Sequence, residues 1–171
     1  MITLYTDRLT IRESSGRDFS RIYAMMLSND SKVCSNFTPV SYDEDDELEK
    51  YLAYIHTVYS VFGFGLCTVE LTKTGEIIGW CGLQPIGDED TPLGRIELGY
   101  LIDRDYRGQG YGYEACREIL TFAFERLELD EVYAMIDEEN APSLALAMKL
   151  GFFWKKENLW VVKRPDAGTS G

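Results

Sequence analysis

Between a predicted strand, Arg95 to Ile102, and a predicted helix, Glu114 to Leu127, stands the segment Arg107-Gly108-Gln109-Gly110-Tyr111-Gly112. Alternating glycines directly ahead of a helix leave the backbone few options. Glycine reaches positive φ without steric penalty, and with no Cβ it lets another group approach the chain closely. The first turn of a helix leaves backbone N–H groups without intrahelical acceptors. With the positive end of the helix dipole, these groups favour a bound anion. Arg107 adds a fixed positive charge at the rim. A diphosphate suits such a place. A turn that only joins strand to helix is the plain alternative, and glycine alternation by itself does not decide between them.

Two nucleotide motifs fail here. A Walker loop needs GxxxxGK[ST], and no Lys-Ser or Lys-Thr follows these glycines. A dinucleotide fingerprint needs GxGxxG early in a βαβ unit. Gly108 and Gly110 fit it, but the third position is Tyr113 and Gly112 comes one residue early.

The surrounding pattern is mixed. Leu9 and Ile11 alternate with polar neighbours as in a half-buried strand. Phe19, Ile22, Tyr23 and Met26 mark one face of a helix over Asp18 to Leu27, with Ser15 and Asp18 in capping spacing. Ser41 and Glu44 make a capping box for a second helix, which carries Leu48, Leu52, Ile55 and Tyr59 and ends near Gly63 or Gly65. Two strands, Leu66 to Leu71 and Glu76 to Leu83, flank a turn at Thr72 to Gly75. Pro85 to Gly94, rich in Gly, Pro and Asp, reads as an exposed loop. After the glycine segment and its helix come a strand (Val132 to Ile136), a short helix (Ser143 to Leu150, stopped by Gly151), and a hairpin turning at Glu157 and Asn158. This order predicts one mixed α/β domain with a partly antiparallel sheet over residues 1–165, and a disordered tail over 166–171.

The net charge of -12 and the pI near 4.5 argue against nucleic acid as a partner and permit a cationic one. No apolar run approaches the roughly 18 to 20 residues that cross a membrane, and Met1 to Arg12 lacks the apolar core of a signal peptide. The cytoplasm is the default location. Cys34, Cys67, Cys81 and Cys116 stand far apart among apolar neighbours, so they read as reduced core thiols, and no metal site is expected.

The segment Arg107 to Gly112 resembles the acyl-coenzyme A signature of the GNAT superfamily, [Q/R]-x-x-G-x-[G/A], matched by Arg107, Gly110 and Gly112. Thr6-Asp7-Arg8-Leu9-Thr10-Ile11-Arg12 resembles the opening of its RimJ/RimL-like branch. Glu76-Ile77-Ile78-Gly79 and Ile96-Glu97-Leu98-Gly99-Tyr100 resemble that branch's third and fourth strands. Asn140-Ala141-Pro142-Ser143 and Lys149-Leu150-Gly151-Phe152 resemble its N-x-x-S and K-L-G-F elements. The likeness runs from about Thr6 to about Val162.

The resemblance implies an α+β fold with a mostly antiparallel central sheet of about seven strands, flanked by helices and splayed between the fourth and fifth. It implies direct transfer of an acetyl group from acetyl-CoA to a primary amine, either a protein N-terminal α-amine or a small molecule, by a monomer or homodimer. Backbone at Leu101 and Ile102 would pair with the pantetheine arm as another strand does. Arg107, Gly108, Gln109, Gly110, Tyr111 and Gly112 would hold the diphosphate, with Asn140 and Ser143 nearby.

Glu97, on the strand beside the thioester, is the candidate general base, with an outward-facing strand carboxylate as the plain alternative. Many GNAT enzymes place a Tyr before the L-G-F element to protonate the leaving thiolate. Ala147 stands there, and the branch assigns a comparable role to the serine matched by Ser143. Locally, Asn140 is a good N-cap and Ser143 an ordinary first-turn residue. Tyr100 and Tyr106 are close enough to the loop to donate, though packing explains such tyrosines as well. His56 has no catalytic partner in sequence.

In the family, the first two helices and the loop before the fourth strand wall the acceptor site, here about Cys34 to Tyr59 and Gly87 to Arg95. The acidic run Asp43 to Glu47 would steer a cation there, or simply favour the start of a helix. Two further readings share the cradle: a non-catalytic acyl-CoA-binding module, and a nucleotide-binding enzyme.

Overall fold

The computed structural model describes residues 2–28, 42–88 and 91–165, with side chains at all of these except 88 and 91–93. Apolar alternation builds the first strands. Leu9 and Ile11 are fully buried while Thr10 and Arg12 are half-buried, which gives β2 (Leu9–Glu13) one core face. A short strand the pattern did not mark, β1 (Thr3–Tyr5), pairs with it antiparallel.

Asp18 then anchors the chain. Its buried carboxylate receives two hydrogen bonds of 2.8 Å from Arg12 of β2 and one from the Ser15 backbone N–H, also 2.8 Å. Burial alone would raise this carboxyl, but Arg12 and Ser15 outweigh it and hold it below its ordinary value. A 3-10 turn at Gly16–Asp18 leads from here into α1 (Phe19–Ser28).

Helix α2 (Glu44–Phe62) starts later than expected. Asp43 is its N-cap, accepting from the Asp46 N–H, and Ser41 lies outside the described residues. Asp is as good a cap as Ser, and the acidic first turn complements the dipole. Gly63 ends the helix at φ +72°. Strand β3 (Leu66–Leu71) and the turn at 72–75 follow as read.

The expected loop Pro85 to Gly94 is instead the far end of a long hairpin. Strand β4 (Ile77–Asp88) pairs antiparallel with β5 (Thr91–Ile102), with Pro85 opposite Ile96 and Ile86 opposite Arg95. A register shift between Ile86 and Asp88, and Gly94 at φ +71°, absorb the residues that looked like breakers.

Helix α3 (Tyr111–Glu125), strand β6 (Glu131–Met135), helix α4 (Ala141–Lys149) and the hairpin of β7 (Phe153–Lys156) and β8 (Leu159–Lys163) complete the fold. Both helices begin before the positions read from sequence, because Gly110 and Asn140 are the N-caps. Among the described residues eight strands form one open sheet ordered β1-β2-β3-β4-β5-β6-β8-β7, one more than the expected seven or so because of β1. Every pairing is antiparallel except β5 with β6. Leu98 packs among Ala115, Cys116 and Ile119 of α3 on one face, while Leu101 packs among Phe19, Ile22 and Tyr51 of α1 and α2 on the other.

Candidate active site

Strand β5 is laddered to β4 from Arg95 to Ile102, but to β6 only through the pair Glu97 and Tyr133. Past Glu97 the two parallel strands part. The gap opens into a cleft of about 350 Å³ lined by the end of β5 and the first turns of both α3 and α4. Leu101, Ile102, Arg107, Gly108, Gly110, Tyr111, Gly112, Asn140 and Ser143 all line it. Residues more than 40 positions apart thus meet at one anion-friendly place, because two helix N-termini converge there.

The loop is shaped by two glycines. Gly108 and Gly110 hold φ of +73° and +85°. The first intrahelical bond of α3 runs from the Glu114 N–H to the Gly110 carbonyl, so the N–H groups of Tyr111, Gly112 and Tyr113 precede the helical ladder. Arg107 folds back, and its Nε donates to the Ile102 carbonyl at 2.9 Å. Gln109 does not line the cleft. Its side chain donates to the Asp105 carbonyl, and only its backbone belongs to the loop.

The N-terminal motif braces this loop. The Arg8 guanidinium lies 4.3 Å from the Tyr111 ring centroid, donates to the Gln109 carbonyl at 3.1 Å and pairs with Glu114 at 2.6 Å. Thr6 Oγ1 also donates to Glu114, at 2.6 Å. Burial would raise the Glu114 carboxyl, but the bonds from Thr6 and Arg8 outweigh it and hold the group low.

On the α4 side, the Tyr100 hydroxyl donates to Ser143 Oγ at 2.7 Å, and the Ser143 N–H donates to Asn140 Oδ1 at 3.3 Å. Burial raises the Tyr100 hydroxyl well above its ordinary pKa, so it stays protonated. A serine oxygen that accepts from Tyr100 keeps its own proton to donate elsewhere. Ala147 is buried and carries no polar group.

Glu97 sits apart from the cleft lining. Strand alternation puts it on the α1/α2 face, 4% exposed. Its Oε1 accepts from the Met135 N–H at 3.0 Å and its Oε2 from Gln84 Nε2 at 3.2 Å. The carboxylate therefore spans the splay as a missing strand bond would. Burial raises its pKa, against the lowering effect of those two bonds. Glu97 is thus not an outward-facing strand carboxylate.

Gln84 in turn lines a second cavity of about 440 Å³, between α1, α2 and the sheet. Of the expected acceptor walls, Glu47, Lys50, Tyr51 and Tyr54 line this space, while Cys34 and positions 89–90 lie outside the described residues. The acidic run serves the helix. Asp43 caps it, and Lys50 pairs with Asp46 at 2.6 Å and Glu47 at 3.1 Å. His56 is exposed on α2, and Tyr106 lines the first cleft, beside the glycine loop.

Sequence reasoning missed several cleft residues. Pro142, Ala145, Leu146 and Lys149 line it at helical spacing, i, i+3, i+4 and i+7, a periodicity that was legible once one cleft residue on α4 was known. Lys149 Nζ stands 4.3 Å from the Tyr113 ring centroid, a cation on the cleft wall. Cys67, Cys81 and Cys116 are buried free thiols. Among the described residues, no group of three His, Cys, Asp or Glu is placed to hold a metal ion, and no helix is long and apolar enough to cross a membrane.

The family model described as acetyltransferase (GNAT) domain matches residues 8–153. The N-acetyltransferase p20 of Bacillus licheniformis is 29% identical over 159 residues, covering 93% of this chain and 85% of that one. The crystal structure of an acetyltransferase from Agrobacterium tumefaciens superposes with a TM-score of 0.78 at 27% identity, over 94% of this chain and 92% of the other. The ribosomal-protein-S5-alanine acetyltransferase of Vibrio fischeri shares the fold, with a TM-score of 0.76 at 17% identity over 97% and 98%.

Proposed function

This chain belongs to the GNAT acetyltransferase family and is an acetyl-CoA-dependent N-acetyltransferase; from that premise we propose that it falls in the RimJ/RimL-like branch and how its own residues divide the work. The observation that carries the proposal is the convergence of the α3 and α4 N-termini on the gap where β5 leaves β6. There the N–H groups from Gly108 to Tyr113 would hold the coenzyme A diphosphate, with Lys149 as a second cation. The free edge of β5 at Leu101 and Ile102 would take the amide-bearing arm as an added strand. Binding there fixes the thioester against the amine and lowers the entropic part of the barrier.

The amine attacks directly from the α1/α2 face, where Glu97 accepts its proton directly or through a water. The departing thiolate receives a hydrogen bond from Ser143, whose hydroxyl is oriented by Tyr100, and takes its proton from solvent. The acceptor is a primary amine. Residues 1–165 act as one domain, as monomer or homodimer, in a reducing cytoplasm that keeps Cys81 and Cys116, 3.8 Å apart, as thiols.

Calorimetric titration with CoA, paired with thiol release from acetyl-CoA over a panel of amines, tests this. Lys149→Ala is expected to weaken CoA binding by about three- to tenfold, the scale of one partly exposed charge contact. CoA binding without thiol release on any amine would make the chain a non-catalytic module. Stabilisation by ATP or NAD but not by CoA would overturn the donor assignment.

A further inference from the structure

Resting on the acetyltransferase reading, we propose that the cavity beneath α1 and α2 selects a small primary amine carried on a compact aromatic or branched apolar body, in preference to a polyamine or a polar peptide. Its walls are a chain of rings. Phe19 stacks on Tyr23 at 5.3 Å and meets Tyr51 at 5.5 Å; Trp80 lies 6.1 Å from Tyr51 and 5.9 Å edge-on to Tyr54. All five rings line the cavity.

The hydroxyls of Tyr51 and Tyr54 are turned to the backbone. Tyr51 donates to the Ser15 carbonyl at 3.1 Å, and Tyr54 accepts from the Leu66 N–H at 3.2 Å. Burial pushes both hydroxyls up to about 12, so the rings remain neutral. What faces the space is ring surface, which receives apolar bodies by area burial and an ammonium by its quadrupole.

The charges argue the same way. Glu47 is the lining carboxylate, and Lys50, also in the lining, stands 3.1 Å from it. A polyamine needs several uncompensated acids along its length, and among the described residues this lining offers one that is already paired. A peptide would bring backbone amides that need polar partners. The polar floor residue Gln84 spends one of its two amide N–H donors on Glu97. That same bond links the cavity to the carboxylate at the splay, so an amine whose body fills the rings points its nitrogen toward Glu97. A volume of about 440 Å³ suits a small molecule.

Thiol release is measured with 2-phenylethylamine, isopentylamine, spermidine and an alanyl peptide amide, each at several concentrations. The expected order of kcat/KM puts 2-phenylethylamine first, at least about 30-fold above spermidine, with about fourfold gained per added buried methylene. Met26 lines the half-buried mouth of the cavity. Met26→Glu should raise the KM for 2-phenylethylamine by about tenfold or more and leave the KM for acetyl-CoA unchanged, with Met26→Leu as the control for folding.

A preference for spermidine or the peptide in the parent, or a Met26→Glu variant that improves spermidine and leaves 2-phenylethylamine alone, overturns this inference while sparing the acetyltransferase reading. Absence of thiol release from every amine overturns the acetyltransferase reading. Tryptophan fluorescence then decides the cavity by itself: 2-phenylethylamine should quench it on binding with or without CoA, and no quenching overturns this inference.

Discussion

Gly110 and Gly112 look alike in sequence, but the structure predicts opposite consequences when each is changed to alanine. Gly110 is the N-cap of α3 at φ +85°, and a Cβ there would lie 3.4 Å from Arg8 Nη2. A non-glycine residue in the left-handed region costs about 1–2 kcal/mol. That cost appears in one of two places. If the free protein keeps the loop conformation, Gly110→Ala lowers Tm by roughly 2–8 °C, at about 2–4 °C per kcal/mol for a chain of this size. If the loop relaxes instead, CoA binding must restore it, and Kd rises by about 5- to 30-fold.

Gly112 has no positive φ, and its Cβ would sit 3.5 Å from Leu146 Cδ2 and 3.6 Å from Ile102 Cγ1, which is ordinary contact. Gly112→Ala should therefore gain up to about 1 kcal/mol of helix propensity and raise Tm slightly. The [G/A] of the family signature at this position agrees with that. Thermal melts with and without CoA, together with calorimetric Kd values, check both variants. A Gly110→Ala protein that melts within about 1 °C of the parent and binds CoA within about twofold would refute the argument from positive φ.

Glu97→Gln keeps an acceptor for the Met135 N–H but removes the base, so kcat should fall by about 10²–10⁴. The parent should lose activity as pH falls through the Glu97 pKa, which burial has raised, and the variant should lack that limb. Between the ordinary carboxylate value and the raised one, the folded state holds a proton that the unfolded chain has lost. Stability therefore falls as pH rises across that window, and urea melts of Glu97→Gln should lack the slope. Ser143→Ala should lower kcat by about 10²-fold with little change in the KM for acetyl-CoA, and Tyr100→Phe by less; a change in Tm alone would leave Ser143 as a first-turn residue. Arg8→Ala should weaken CoA binding by several-fold while costing about 1 kcal/mol or less in stability, since its guanidinium is 44% exposed. Because Thr6 and Arg8 hold Glu114 below its ordinary pKa, their stabilisation is present above the unfolded value and lost as pH falls through the folded one, which acid titration of Tm in parent and Arg8→Ala would reveal.

Much of this protein is written locally. The 3.6-residue spacing of Phe19, Ile22, Tyr23 and Met26, the stop at Gly63, the turn at 72–75 and the hairpin at Glu157 and Asn158 are each decided within a few residues by side-chain period and backbone freedom. So is the glycine loop, in which Gly108 and Gly110 take positive φ and Gly112 enters the helix without it.

What the sequence could not decide depends on partners far along the chain. Pro85 to Gly94 read as a loop because Gly and Pro punctuate locally, yet the pairing of β4 with β5 keeps 85–88 and 91–94 extended. Glu97 read as either a base or a surface carboxylate. Only the single β5–β6 pair, with Met135 and Gln84 as its partners, buries it at the splay. Arg8 and Glu114 are 106 residues apart, and Tyr100 and Ser143 are 43 apart. The sequence alone determined the glycine loop on which the proposed donor side rests, because such a loop needs only consecutive backbone. The tertiary structure decided the cavity on which the proposed acceptor side rests, because an aromatic cavity exists only where two helices close over a sheet.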